Sequence, residues 1–345
     1  MNHTRARFTD ILSSNDYVVG VDMGGTKILA SVVNAAGRIV SRSKIATKAD
    51  KDPHEVIDRI ARCIRSAIDE MGLESTQIQA IGIGAPGPLD PETGVVIFAP
   101  NLGWSNVPLK ARLEARMGIP TFVENDVNLC TLGESASGVG LGVKSLVGIF
   151  VGTGIGGGII LDGRLFRGAS DTAGEVGHII VKSDGPRCGC GNLGCLEAVA
   201  SRTAITRQLR KAILKHGKTS VLLKLNGGNL GLIRSSTLAK AVRRGDKLTA
   251  KVMRRAQKYL GIGVASIINF LNPEMIVLGG GLIEAMGDGF LDGIRSTTAK
   301  HVLPSTMDGV QIVGAELGDN AGVIGGAVLA RQMLGENITP PQREV

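Results

Sequence analysis

Two stretches of this chain repeat one pattern. VGVDMGGTKILASVVN, from Val19, and VGIFVGTGIGGGIILD, from Val147, align without a gap, and each runs from apolar segment through Gly/Thr turn to apolar segment. Both read as strand, tight turn, strand. A unit of this kind that occurs twice at wide separation predicts two α/β lobes built on one plan. The length of 345 residues agrees, being too long for one typical domain and suited to two. Hydrophobic residues at 43% are enough for two cores, but aromatics are only 3% and glycines number 49, so those cores must be aliphatic with close backbone approaches. The copies differ at one place that matters: Asp22 of the first aligns with Phe150 of the second.

Around the two copies the periodicity predicts a strand over Ile39–Ile45 and a helix over 53–71. That helix has apolar residues at helical spacing, Pro53 at its start and Gly72 after its end. Cys63 falls on or beside its apolar face and reads as core. A buried strand is expected at 78–84, turns through APGPLDPETG, a loop at FAPNLGW, a helix over 107–117, a short strand in IPTFVEND and a helix over 127–137. Helical patterns then cover 197–216 and 237–260, extended by an apolar stretch to 272. EMIVLGGGL reads as a strand running into three glycines, and 318–334 as a helix with one small-residue face.

Composition excludes several classes. The net charge of +8 is spread over amphipathic segments without an aromatic-interleaved basic patch, so nucleic acid is not expected as a partner. The first residues hold no apolar core of a signal peptide, and no run approaches the roughly 18 apolar residues of a membrane span. Five cysteines, three of them clustered, fit a reducing compartment better than a disulfide framework, so a cytoplasmic protein is expected.

Several motifs carry possible chemistry. In DMGGTK, Asp22 to Lys27, glycines let backbone N–H groups approach a phosphate, Thr26 adds a hydroxyl, Lys27 a charge, and Asp22 a carboxylate suited to Mg²⁺. The same residues could also make an ordinary hairpin; the Walker A spacing is absent. GTGIGGG, from Gly152, has glycines at dinucleotide-like spacing, but a strand follows instead of the required helix. Two strand–turn–strand phosphate loops, one per lobe, suit a clamp around a polyphosphate. A third run, Gly279–Gly281, could let a flat ring lie against backbone. VENDVN puts Asn125 and Asp126 at a strand end, a place for chemistry or a plain surface turn; an ionised aspartate there could accept a hydroxyl proton during phosphoryl transfer.

HIIVKSDGPRCGCGNLGCLE, from His178, spaces one imidazole and three thiols as His178, Cys188, Cys190 and Cys195. Four such ligands complete a tetrahedron for Zn²⁺ and leave no open position, so the metal would be structural. Gly185, Gly189, Gly191 and Gly194 let the chain wrap tightly. The alternative is a glycine loop with free thiols; a redox Cys-x-x-Cys is absent.

With DMGGTK, PNLGW, END, GTGIGGG, GEVGH, CGCGNLGCLE and LGGG in this order, the chain resembles the ROK sugar kinases, whose members include bacterial glucokinases, over roughly residues 17–335. The resemblance implies the two-lobe actin/Hsp70/hexokinase-like (ribonuclease H-like) ATPase fold with an interlobe cleft. The implied divisions are a short extension over 1–16, an N-terminal lobe over 17–126 joined by a helix at about 320–335, a C-terminal lobe over 127–319 carrying the zinc loop 178–195, and a tail over 336–345. It implies ATP with Mg²⁺ and a structural Zn²⁺. The ATP phosphates would meet Asp22, Gly24, Gly25, Thr26 and Lys27 on one side and Gly152, Thr153 and Gly154 on the other, with adenosine near Gly279, Gly280 and Gly281. Asp126 matches the catalytic base for the sugar 6-hydroxyl, and Asn101, Asn125, Glu175, His178 and Glu197 match the sugar contacts. His178, Cys188, Cys190 and Cys195 match the zinc ligands.

Glucose is the favoured acceptor, with N-acetylmannosamine, N-acetylglucosamine, fructose or allose as alternatives and polyphosphate as an alternative donor. A homodimer or homotetramer is implied. The family also contains sugar-responsive repressors, but only about 16 residues precede the first strand, too few for a helix-turn-helix domain.

Overall fold

The computed structural model describes residues 16–231 and 233–335. The extension expected before Asp16 and the tail expected over 336–345 lie outside the described residues. The chain divides into two compact units: the described residues through Ser137 together with those from Asp319 onward, and Gly138–Gly318. Each is an α/β unit around one five-stranded mixed sheet.

In chain order the first unit holds β1 (Tyr17–Met23), β2 (Lys27–Val33), β3 (Ile39–Ala46), α1 (Pro53–Asp69), β4 (Ile78–Ala85), β5 (Leu89–Asp90), β6 (Val95–Ala99), β7 (Trp104–Pro108), α2 (Leu109–Met117), β8 (Thr121–Asn125) and α3 (Asp126–Ser137). Its main sheet has the order β3-β2-β1-β4-β8. β1 runs antiparallel to β2 and parallel to β4, and β4 parallel to β8. Asp52 caps α1 by accepting the His54 N–H, and Pro53 occupies the first helical turn, where its missing donor costs nothing. The helix buries Val56, Ile57, Ile60, Ile64 and Ile68, each contributing roughly 1.5–3 kcal/mol. Cys63 is fully buried among them, a core residue as expected.

The second unit holds β9 (Leu146–Val151), β10 (Ile155–Leu161), β11 (Arg164–Leu165), α4 (Leu196–Ala200), α5 (Arg202–Arg210), α6 (Leu222–Leu225), α7 (Ser235–Arg243), α8 (Lys247–Leu271), β12 (Met275–Gly279), α9 (Gly281–Met286), α10 (Asp288–Thr298), α11 (Pro304–Met307) and β13 (Gln311–Gly314). The sheet order, β11-β10-β9-β12-β13, and the strand directions reproduce those of the first unit. The repeat read from the sequence is therefore a repeat of topology. Even the aligned pair holds its place: Asp22 pairs with Gly84 of the next parallel strand, and Phe150 with Gly279. Ile149, Val151, Leu260, Val264, Ile268, Ile276 and Leu278 form part of this unit's aliphatic core.

Several expectations are corrected. The stretch expected as turns and loop before residue 107 is a three-stranded antiparallel sheet, β5-β6-β7, too short and too rich in Pro and Gly to show a strand period. The helix expected over 197–216 breaks at Ser201, whose extended backbone lets its hydroxyl cap α5 by accepting the Ala204 N–H. The helix expected over 237–272 is interrupted at Gly245, where φ is +75°, and Asp246 caps α8 by accepting the Thr249 N–H. The boundary expected between 126 and 127 falls after Ser137, because α3 packs within the first unit against the C-terminal helix, Ala321–Met333. Among the described residues no helix is long and apolar enough to cross a membrane.

That C-terminal helix lies on β1 and β4 at backbone-to-backbone distance. A Cβ added to Gly20 would overlap the carbonyl of Val323, and one added to Gly82 the carbonyl of Gly326. A Cβ on Gly133 of α3 would overlap the Ala321 carbonyl in the same way. No flexible side chain can yield at these points. We predict that Gly82→Ala lowers stability by about 1–3 kcal/mol or more, read as a shift of the urea midpoint with an unchanged slope. Gly289→Ala, on an exposed helical surface with nothing within 4 Å, should cost nothing.

Candidate active site

In the first unit three parallel strands end at one edge. Asp22 on β1 pairs with Gly84 on β4, and Ala85 pairs with Asn125, the last residue of β8. Chemistry concentrates at such carboxyl ends of parallel strands. Asn125 Oδ1 accepts the N–H groups of Val127 (2.9 Å) and Asn128 (3.2 Å), so it caps α3 and fixes the corner at which Asp126 begins that helix. Asp126 is half-buried, and its backbone lies so close to Gly84 that an added Cβ there would sit 3.1 Å from the Asp126 Cα. Asp22 packs against Gly322 at the start of the C-terminal helix. Burial pushes its carboxyl above the ordinary range, while the Lys27 charge pulls it back. Such a carboxylate gains from a nearby cation.

The DMGGTK turn is held by the Gly24 N–H donating to the Lys27 carbonyl (2.9 Å) and by the Thr47 hydroxyl donating to the Gly24 carbonyl (2.6 Å). Thr26 is exposed. Asn101 lies beside Gly25, so the structure brings this predicted sugar contact to the predicted phosphate turn. The Lys27 ammonium bonds Asp319 at 2.6 Å, and Lys44 reaches the other oxygen of that carboxylate at 3.2 Å. Bonding to Lys27 first of all holds the Asp319 carboxyl below its usual range.

In the second unit Gly152, Thr153 and Gly154 follow the end of β9, and Gly280 packs against the backbone of Val151 with φ +86°, a conformation and a spacing that need glycine. The two predicted glycine runs are thus neighbours. The Arg202 guanidinium donates to Thr153 Oγ1 (2.6 Å), the Thr203 hydroxyl to the Thr153 carbonyl (2.8 Å), and the Arg202 N–H to the Gly152 carbonyl (3.0 Å).

The loop from His178 to Cys195 gathers its four predicted ligands, whose donor atoms all lie within 4.8 Å of one another. His178 Nδ1 is 3.7 Å from Cys188 Sγ, and Cys190 Sγ is 3.7 Å from Cys195 Sγ. The edge of a tetrahedron with Zn–S of about 2.3 Å and Zn–N of about 2.0 Å measures roughly 3.5–3.8 Å, so the donors stand at coordination spacing. Turns tie the loop: the Cys188 N–H donates to the Asn192 carbonyl and the Gly194 N–H to the Pro186 carbonyl. A Cβ on Gly194 would overlap the Lys182 carbonyl. Burial pushes the Cys188 thiol up and, with hydrogen bonds that the Cys195 S–H donates to Cys190 and Cys188, pushes Cys195 up to about 12; the Asn192 N–H pulls Cys190 down. Three thiols held this close need a cation to ionise together, which is what zinc supplies. His178 turns its other nitrogen, Nε2, toward the Glu175 carboxylate at 3.7 Å. Glu197 follows directly on the loop; its Oε1 lies 3.9 Å from Cys188 Sγ, and its Oε2 accepts the Ile155 N–H at 3.0 Å.

Sequence reasoning passed over Asp319, Arg202 and Glu124. Glu124 is buried and accepts the N–H of Asn125 and the side-chain amide of Asn128. An acid inside a strand, directly before Asn125-Asp126, was a signal that could have singled it out. Asp319 and Arg202 act across long sequence separations that spacing alone does not reveal.

Metal analysis should find about one zinc per chain. Cys190→Ser should lower that content and cost more than about 2 kcal/mol, roughly 4–8 °C in thermal midpoint for a unit of this size. Full zinc content in the variant would remove Cys190 from the ligand set.

The sequence pattern of the ROK family matches residues 18–333. A glucokinase of Halalkalibacterium halodurans is 37% identical over 320 residues, covering 92% of this chain and 96% of its own. A glucokinase of Thermotoga maritima is 36% identical over 319 residues, covering 92% and 98%. Among solved structures, a ROK family glucokinase from Streptomyces griseus in complex with glucose and AMPPNP superposes with a TM-score of 0.80 at 37% identity, covering 92% of this chain and 99% of that one. The repeated sheets, the His/Cys cluster and these matches lead to one conclusion: the chain belongs to the ROK family.

Proposed function

We infer that this protein is a glucokinase that transfers the γ-phosphoryl group of ATP to the 6-hydroxyl of glucose. The observation that carries the reading is Asp126, fixed at the start of α3 by the Asn125 cap on the edge that also bears Asp22. Phosphoryl transfer asks little covalent chemistry of a protein and much positioning. Asp126 accepts the proton of the 6-hydroxyl as the new O–P bond forms; the bond between the γ-phosphorus and its bridging oxygen breaks, and ADP leaves with the electron pair. Because the alcohol loses its proton late in a loose transition state, an ordinary carboxylate suffices. Asp22 would hold Mg²⁺, which neutralises phosphate charge.

Asn101, Asn125, Glu175, His178 and Glu197 would offer donors and acceptors to the sugar hydroxyls. A site built to hydrogen-bond each hydroxyl rejects analogues that lack one. The turns 24–27 and 152–154 would receive the phosphates and Gly279–Gly281 the adenosine. A reducing cytoplasm is the proposed location, and free thiols gathered for a metal support it. The working form is a homodimer or homotetramer, supported by an apolar groove of about 550 Å³ on the second unit, flanked by Phe166 and the 86% exposed Phe270.

A coupled assay for ADP release, run across a hexose panel with ATP or polyphosphate as donor, should give its highest kcat/KM with glucose and ATP. Asp126→Asn should lower kcat by about 10²–10⁴ with the fold intact. Wild-type-like turnover in that variant would remove Asp126 as base; another preferred hexose or donor would redirect the specificity. Light scattering should return a mass of two or four chains, and Phe270→Glu should reduce it.

A further inference from the structure

The position of Glu197 has a meaning beyond contact with a sugar. Its carboxylate spans two structures that the sequence keeps far apart. One oxygen lies by the thiol of Cys188, and the other accepts the Ile155 N–H, at the exit of the Gly152–Gly154 turn. Ile155 itself is 4% exposed, so its amide has little access to water as a substitute partner. Gly154 makes room for the contact, since a Cβ added there would run into Glu197 Oε2. The rest of the turn rests on the same continuous segment: Arg202 and Thr203, a few residues further along, hold both Thr153 and the Gly152 carbonyl. That segment starts at Cys195, and its first amide, Leu196 N–H, donates to the Ile179 carbonyl beside His178.

We propose that Glu197 is a positioning residue that couples the His/Cys cluster to the Gly152–Gly154 turn, so that metal occupancy of the cluster sets nucleotide affinity. A carboxylate can accept several hydrogen bonds, so this role is compatible with a sugar contact. The inference rests on the reading of that turn as a phosphate turn. Coupling of this kind is reciprocal: if bound metal tightens nucleotide binding, nucleotide must tighten metal binding by the same factor.

The test uses the zinc-loaded full chain and the Mg²⁺ complex of AMPPNP, with binding measured by calorimetry. Glu197→Ala, which leaves the Ile155 amide unpaired, should weaken AMPPNP roughly tenfold, while Glu197→Gln, whose amide oxygen can still accept that N–H, should stay within about threefold of the wild type. Stripping zinc by chelation should weaken AMPPNP in the wild type and add little in Glu197→Ala. In the reverse direction AMPPNP should slow zinc loss to a chelator in the wild type only. Amide exchange at Ile155 should accelerate on zinc removal, a readout that requires no nucleotide. Unchanged AMPPNP affinity in Glu197→Ala, or unchanged exchange at Ile155 in a folded zinc-free protein, would overturn the coupling. If the wild type fails to bind AMPPNP at all, the phosphate reading of the turn falls, and the exchange measurement alone decides the coupling.

Discussion

The carbonyl oxygens of Val323 and Gly326 rest on Gly20 and Gly82 with no side chain between them. This backbone contact sets the distance between the C-terminal helix and the two central strands of the first unit, and much else follows from it. The helix starts at Ala321, so Gly322 falls against Asp22 and the turn before it carries Asp319 to Lys27. α3 leans on the same helix through Gly133, and α3 begins with Asp126. The carboxylates proposed for metal and for proton transfer are therefore spaced by a stack of glycines. Close packing of backbone has no soft modes, and it transmits a sub-ångström error without absorbing it. A catalytic arrangement that tolerates little misplacement benefits from such a support.

How far the sequence displayed this depends on whether the signal was local. The duplicated strand–turn–strand was legible because alternating apolar runs around glycine are local, and it carried the sheet order with it, down to Asp22 and Phe150 holding equivalent places. The cluster of His178, Cys188, Cys190 and Cys195 was legible because metal chemistry restricts residue type and spacing together. The small sheet of β5, β6 and β7 was not, since two to five residues broken by Pro and Gly have no measurable period. Nor were the breaks at Ser201 and Gly245, where a cap outweighs a continuing helical pattern. The placement of α3 was missed because its alliance with a helix almost two hundred residues later is a tertiary fact.

The candidate site shows the same division. Asp126 and Asn125 stood out as polar residues ending a strand. The residues that hold them and the two glycine turns were silent, because Glu124, Asp319 and Arg202 work through partners fixed only by the fold. Glu197 was visible next to the cysteines, but its bond to Ile155 joins positions 42 apart. Sequence motifs display the groups that would touch ligands; the groups that orient them come into view only in three dimensions.

The two units also differ in how the chain supplies them. The second is one continuous segment, Gly138–Gly318, whereas the first closes only with the helix Ala321–Met333. Gly20 and Gly82 leave the ribosome before any of the second unit, and the backbone they pack against leaves more than two hundred residues after them. At about 5–20 residues per second the first unit waits at least ten seconds or so for its last piece, during which the second can complete itself. Of the two units, the one whose strands are made earlier is the one whose chain is completed later, so its open sheet is an exposed surface for that interval.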